Sequence, residues 1–256
     1  MSALVGKHVL VTGASAGIGE ACARRFAADG AQLILWARRI DRLAKLADDL
    51  EREHGQPVHV AQVDVRDREA VSGFAHALIE ADAVPHVLVN NAGLAAGFDF
   101  FQDGDPDDWE RMIDTNVKGL LWVTRALLPA MIGSGRGHIV NIGSTAGHLT
   151  YPRGNVYAAT KFAVRALTEG INLDVVGTPI RVSSVDPGMV ETEFSLVRFH
   201  GDEARAKKVY EGLHALSSQD VADAVAWVLS RPDHVNIVDM VMMPTAQRNV
   251  YVIDRG

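Results

Sequence analysis

The turn after the first apolar run limits the fold more than any other feature of the chain. His8 to Thr12 reads as a short buried strand, Gly13-Ala14-Ser15-Ala16-Gly17-Ile18-Gly19 follows, and a helical pattern then runs through Ala28. Strand, glycine turn and helix in succession are the context a dinucleotide-binding βαβ unit requires. Gly13 suits the tight turn, Gly17 lets backbone approach a pyrophosphate, and Gly19 permits close helix packing, with the helix N-terminus facing the anion. Ser15 and Ile18 belong to the same loop. The spacing is G-x-x-x-G-x-G rather than the commoner G-x-G-x-x-G, so the turn alone would also suit an ordinary strand-to-helix loop; its flanks favour the cofactor reading.

The next strand pattern, Gln32 to Ala37, ends in Arg38-Arg39. An acidic residue about 20 positions beyond the glycines would hold ribose hydroxyls, whereas arginine accommodates a 2′-phosphate. Two cations there point to NADP(H), with Ser15 as a further phosphate ligand. Pro57 to Val63 is a third strand, ending at Asp64-Val65, where the acid suits either an adenine amino group or the cap of a helix from Arg66 to Ala81. His86 to Val89 runs into Asn90-Asn91-Ala92-Gly93, a turn that lets backbone pass close to a ligand.

Asp103 to Asp108 imitates a calcium loop. Pro106 and the lack of a bidentate Glu at the twelfth position argue instead for a helix start with Asp105 as N-cap. That helix is expected to run to about Met131 with Asn116 in its middle. A polar side chain there is costly unless bonded, so Asn116 is a structural bridge or part of a site.

The chemistry concentrates between Ser144 and Lys161. Tyr157 and Lys161 are four apart in a helical pattern and share a face. An ammonium roughly 4 Å from a phenolate stabilises it by about 4 kcal/mol at an effective dielectric near 20, which would bring the tyrosine from about 10 toward 7 and make it a general acid or base. Ser144 ends the apolar run His138 to Ile142, at the carboxyl edge where open α/β sheets bind ligands. Ile180 to Val185 is a sixth strand, ending in Asp186-Pro187-Gly188, and Met189 to Leu213 reads as a lid. A helix from Gln219 to Ser230 and a strand from Val235 to Met242 close the pattern.

Composition narrows the class further. The 256 residues are 48% hydrophobic without a linker or repeat, as expected of a single domain over 1–256. A net charge of -7 argues against a nucleic-acid surface. No apolar run is long enough to span a membrane, and one cysteine, Cys22, excludes an internal disulfide and fits a reducing, cytoplasmic location; in its alanine-rich setting it reads as a small buried hydrophobe. The ten histidines show no ligand spacing, so no metal is expected.

Together, Thr12-Gly13-x3-Gly17-x-Gly19, Asn90-Asn91-Ala92-Gly93, Asn116, Ser144, Tyr157-x3-Lys161 and Pro187-Gly188 resemble the short-chain dehydrogenase/reductase family over nearly the whole chain. The resemblance implies a doubly wound α/β Rossmann-type sandwich with seven parallel strands in order 3-2-1-4-5-6-7, and hydride transfer between nicotinamide and an alcohol or carbonyl. It assigns Tyr157 as general acid/base, Ser144 as partner of the substrate oxygen, and Lys161 as the group that lowers the tyrosine pKa and holds the nicotinamide ribose. Asn116 would bind a water linking Lys161 to solvent, and Pro187, Gly188, Val190 and Thr192 would join the cofactor site.

A narrower likeness is to NADP-dependent 3-hydroxy acid dehydrogenases acting on serine or allo-threonine. It rests on Asn141 to Gly147, Gly154 to Tyr157, Thr192 to Phe199 and Met242 to Thr245. That group implies a homotetramer and a small anionic substrate, with Arg198 brought over the site to pair with its acid group. His148 and Arg153 depart from the group as an imidazole and an extra cation beside the site, and are expected to touch substrate and to favour a sulfonate or a more anionic aldehyde. A broad carbonyl reductase and a non-catalytic NADP sensor are the alternatives; the sensor is disfavoured because all four catalytic positions are present.

Overall fold

Alternating apolar runs and amphipathic helices of this kind cannot bury both sheet faces except as layers. The computed structural model, which describes residues 3–256, shows that arrangement. Seven strands form one all-parallel sheet in order β3-β2-β1-β4-β5-β6-β7: β1 (His8–Thr12), β2 (Gln32–Ala37), β3 (Val58–Gln62), β4 (Val87–Asn90), β5 (Gly137–Ile142), β6 (Ile180–Pro187) and β7 (Asp239–Met242). The order reverses between β1 and β4, and the cleft opens at the carboxyl ends there.

Strand side chains alternate between two cores. Val9, Val11, Leu33 and Leu35 pack with Phe26 of α1 (Gly17–Ala28), Leu43 and Leu50 of α2 (Ile40–His54) and Val225 of α9 (Ser218–Leu229). Leu10, Ile34 and Trp36 face the other way, onto Val71 of α3 (Arg68–Glu80) and Leu127 and Met131 of α5 (Gly119–Gly133). This period-two division makes both faces apolar and fixes the register. Cys22 is fully buried in the first core, and desolvation pushes its thiol up to about 12, as befits an inert small hydrophobe.

Several expected boundaries shift for identifiable reasons. Helix α3 is capped by Asp67, which accepts from the Glu69 and Ala70 amides, and not by Asp64, whose carboxylate takes the Arg66 amide and guanidinium. The single helix expected from Asp105 to Met131 is instead α4 (Pro106–Ile113), a π-helical turn over Asp114–Lys118, and α5. The π turn centres on Asn116, and such turns accompany functional sites. β7 begins at Asp239 because Val235 turns back, its amide bonding the Pro232 carbonyl. Between β6 and α9, the expected lid carries two short helices, α7 (Phe194–Arg198) and α8 (Glu203–Lys208). The catalytic stretch lies on α6 (Asn155–Asp174) and on the turn before it. No helix among the described residues is long and apolar enough to cross a membrane.

Candidate active site

A cleft of about 330 Å³ opens along the carboxyl edge of β1, β2, β4, β5 and β6, a size suited to a cofactor and a small ligand. Its floor is the glycine turn: Gly13, Ser15, Gly17 and Ile18 line it, with Gly13 and Gly17 at positive φ. Gly19 does not face the cleft; a Cβ there would sit 2.5 Å from both the Asn91 amide nitrogen and the Gly13 carbonyl oxygen. Asn91 explains that crowding, because its side chain donates to the Thr12 and Gly13 carbonyls at 2.9 and 3.2 Å and stitches the turn to the end of β4. Ala16, at the N-cap of α1, offers no side-chain acceptor, so the amides of the first turn are left for a ligand, and an anion fits there.

At one end Arg38 and Arg39 line the wall beside Asp64 and Val65. Arg39 donates to Ser15 Oγ at 3.2 Å and to Glu193 at 2.9 Å. Asn91, Ala92 and Gly93 form the middle, and Pro187, Gly188, Val190 and Thr192 the opposite wall.

At the other end Ser144, Tyr157 and Lys161 converge. Ser144 heads the short turn after β5, with its Oγ accepting from the Ala146 amide at 3.1 Å. Lys161 is buried, and its Nζ donates to the Ile142 carbonyl at 2.9 Å. Desolvation lowers this ammonium to about 8, countered by the field of Asp186.

Tyr157 departs from expectation. The ammonium lies 6.0 Å from its ring centroid, and burial drives the phenol pKa up, reinforced by Tyr151 and opposed by a hydrogen bond with Ser144 and by Arg198. In the cofactor-free chain desolvation outweighs the nearby charges, so the phenol lies above its ordinary value, whereas spacing alone predicts it below. Asn116 is fully bonded, as a polar side chain inside an apolar helix must be. Its Oδ1 accepts from the Leu94 amide and its Nδ2 donates to the Leu94 carbonyl and Thr160 Oγ1, all at 2.8 to 3.0 Å. It is a structural bridge lying behind the cleft, where it borders with Lys161 a small cavity of about 10 Å³.

Three expected substrate contacts do not line the cleft. His148 turns behind it to the buried carboxylate of Asp186 and lies 3.8 Å from Asp239. Carboxylate partners attract an imidazole more strongly than an open cleft does. Arg153 adopts a φ of 64° and rests over Phe100 at 4.5 Å and Phe98 at 5.9 Å. Arg198 stacks 5.1 Å above the Tyr157 ring and donates to the Tyr151 hydroxyl at 2.6 Å, so it stands at the catalytic end without opening onto the main cavity. The histidine spacing gave no hint that His148, Asp186 and Asp239 bring potential ligand atoms within 4.8 Å of one another. Glu193 and Phe194 also line the cleft, and Tyr151, inside the stretch from Ser144 to Lys161, holds Arg198, contacts that residue spacing does not signal.

Fold, cleft and catalytic group together define a member of the short chain dehydrogenase family, whose signature matches residues 7–202. Its relatives are specific. The chain is 49% identical over 240 residues to the NADP-dependent 3-hydroxy acid dehydrogenase YdfG of Salmonella typhi, covering 93% of this chain and 95% of that one. It is 46% identical over 249 residues to sulfoacetaldehyde reductase 2 of Chromohalobacter salexigens, covering 96% and 98%. Among solved structures, the closed form of serine dehydrogenase complexed with NADP+ superposes with a TM-score of 0.90 at 47% identity, covering 94% of this chain and 96% of that one.

Proposed function

We propose that the chain is an NADP-dependent oxidoreductase that moves a hydride between nicotinamide and a small polar alcohol or carbonyl bearing an anionic group, of the 3-hydroxy acid or sulfonate aldehyde type. Two relatives whose names point to such substrates, each more than 45% identical over nearly the full chain, support that class. One observation carries the anionic part. Arg198 bonds the Tyr151 hydroxyl but no carboxylate among the described residues, its Nε is buried without a partner, and its guanidinium lies 5.1 Å from the centroid of the Tyr157 ring. A half-buried cation without a counter-charge is favoured where a ligand supplies that charge.

NADP(H), when bound, supplies the hydride acceptor or donor. The residues present fit it: the uncapped first turn of α1 for the pyrophosphate, and Arg38, Arg39 and Ser15 for a 2′-phosphate. Ser144 would donate a hydrogen bond to the substrate oxygen, Tyr157 would take the alcohol proton during oxidation and return it during reduction, and Lys161 would stabilise the phenolate. An apolar wall of Leu94, Phe194 and Val197 also suits neutral ketones and keeps a broad carbonyl reductase as the second reading.

The same proposal takes the chain to be a cytoplasmic homotetramer with 189–213 as its lid. Exposed Phe162 on α6 and Ile132 on α5 would support assembly through those helices. The test is a panel of hydroxy acids, sulfonate aldehydes and neutral ketones followed by NADP(H) absorbance. Anionic substrates should lead in kcat/KM, and Tyr157→Phe should remove turnover while NADPH still binds. Equal rates on neutral ketones would favour the second reading.

A further inference from the structure

Asp186 is the most buried carboxylate among the described residues, at 1% exposure, and it stands at the end of β6 directly behind the catalytic group. Its carboxylate accepts from Ser184 on the same strand and from His148. His148 belongs to the turn that Ser144 begins, since its amide bonds the Thr145 carbonyl at 3.1 Å. The next residue after Asp186 is Pro187, whose carbonyl receives Ser144 Oγ at 3.5 Å. The His148–Asp186 contact thus ties the two loops that flank Ser144, one after β5 and one after β6. The fit is tight: Gly143 has no room for a Cβ, which would run into the Asp186 carboxylate.

The same carboxylate answers a charge problem. Lys161 is buried and forms no ion pair among the described residues, its Nζ bonding only the Ile142 carbonyl. Asp186 is the acid whose field reaches Lys161, and it reaches Tyr157 too. Other charged groups near His148 lie at the rim. Asp239 of β7 is 3.8 Å from its Nε2, and Arg165 of α6 is 4.0 Å from Asp239. Because a hydrogen-bonded imidazole and an arginine already answer the two acids, the cluster reads as a charge-compensated pair and not as a cation site.

We propose that His148 and Asp186 are positioning residues of the reaction, a half-buried imidazole on a buried carboxylate that together fix Ser144 between its two loops and supply the negative charge behind Lys161 and Tyr157. The inference rests on the assignment of Tyr157 and Lys161 as the reacting pair. It concerns chemistry at the alcohol carbon and not the choice of substrate, which falls to Arg198 on the other side of Tyr157.

The pair has a readout that a structural role would not move. During oxidation the limbs of the kcat/KM profile follow proton loss from the Tyr157–Lys161 pair taken as one coupled unit. A nearby anion raises both, so removing it lowers both. Asp186→Asn should therefore move both limbs to lower pH by roughly one pH unit, the lower end of what one close charge produces. His148 lowers the Asp186 pKa while burial raises it, so His148→Phe lets the carboxylate take up its proton at higher pH and should shift the limbs the same way by less. His148→Gln keeps a donor and should return the profile toward that of the unaltered enzyme.

The profiles are measured on full-length protein with saturating NADP+, and unfolding curves are recorded alongside. Folded Asp186→Asn and His148→Phe enzymes with unmoved limbs and only a scaled rate would overturn the inference. If Asp186→Asn does not fold, the contrast between His148→Phe and His148→Gln decides. Turnover surviving in Tyr157→Phe would instead overturn the underlying assignment, so the two failures are distinct.

Discussion

Glu193, at the start of the lid helix α7, is bound to Arg39 of the cofactor wall at 2.9 Å, and its second oxygen holds Arg42 at 2.8 Å. The carboxylate thus sits on the cations expected to read a 2′-phosphate. A bound phosphate and Glu193 compete for the same guanidinium. The pairs are nearly half exposed, so each is worth no more than about 1 kcal/mol. Glu193→Gln should then tighten NADPH binding about two- to fivefold, and leave NADH binding unchanged, in a fluorescence titration. Equal gains for both cofactors would remove the phosphate from the explanation. Arg39→Ala, in the same titration, should weaken NADPH selectively.

Arg198 makes a separate claim on the substrate. Its guanidinium stacks on the rings of Tyr157, Phe194 and Phe98 and is bonded to Tyr151, an aromatic box around a cation with no acid in it. Arg198→Ala should raise KM for anionic substrates by about tenfold or more, as expected for a lost charge-assisted bond, and should leave neutral ketones close to their original kcat/KM. A uniform loss across both classes would assign Arg198 to packing. Tyr151→Phe tests the holder: it should weaken anionic substrates by a smaller factor.

Much of this molecule was legible in residue order. The seven strands emerge from apolar runs separated by helical patterns, their order in the sheet follows from the family resemblance, and the glycine turn, Arg38-Arg39, Asn91 to Gly93 and Tyr157-x3-Lys161 all reach one cleft. What spacing could not reach were contacts made between distant strands and loops. His148 is 38 residues from Asp186, and nothing in either neighbourhood says that an imidazole beside the site will turn away from substrate toward a buried acid. Asn116 reads as polar in an apolar helix, yet its three bonds reach Leu94 and Thr160 on other segments, and the π turn that directs them has no local signature. Spacing placed Lys161 beside Tyr157, but a period of four cannot say that the Ile142 carbonyl will hold the ammonium 6.0 Å from the ring.

Acid should destabilise the fold through His138. This residue is buried in β5 against Ser183 Oγ at 2.7 Å, and desolvation lowers its pKa from 6.5 to about 3. The unfolded chain binds its proton near pH 6.5, whereas the folded chain resists until near pH 3. Stability from this group is therefore complete above pH 6.5 and falls as pH drops through that window, by about 3 kcal/mol at pH 4. Urea unfolding at pH 7 and pH 4 should show a smaller difference in His138→Gln than in the unaltered protein. An unchanged difference would move the acid sensitivity to other groups.

The lysine that serves catalysis should cost stability. Burial lowers Lys161 from 10.5 to about 8, so at pH 7 the folded protein carries a desolvated ammonium that the unfolded chain solvates freely. Lys161→Met keeps the chain length and apolar stem, removes the charge, and loses the bond to the Ile142 carbonyl. The gain exceeds that loss: two and a half pK units correspond to about 3 kcal/mol, against about 1 kcal/mol for one hydrogen bond. The variant should be about 2 kcal/mol more stable than the unaltered protein in cofactor-free denaturant unfolding at pH 7, with turnover lost. The sign of the pH dependence is fixed by proton binding. Between pH 8 and 10.5 the unfolded chain holds the lysine proton and the folded chain releases it, so the unaltered protein gains stability as pH rises and the advantage of the variant fades. A variant that is less stable at pH 7, or whose advantage does not shrink at pH 9.5, would mean that the ammonium is better solvated in the fold than its burial implies.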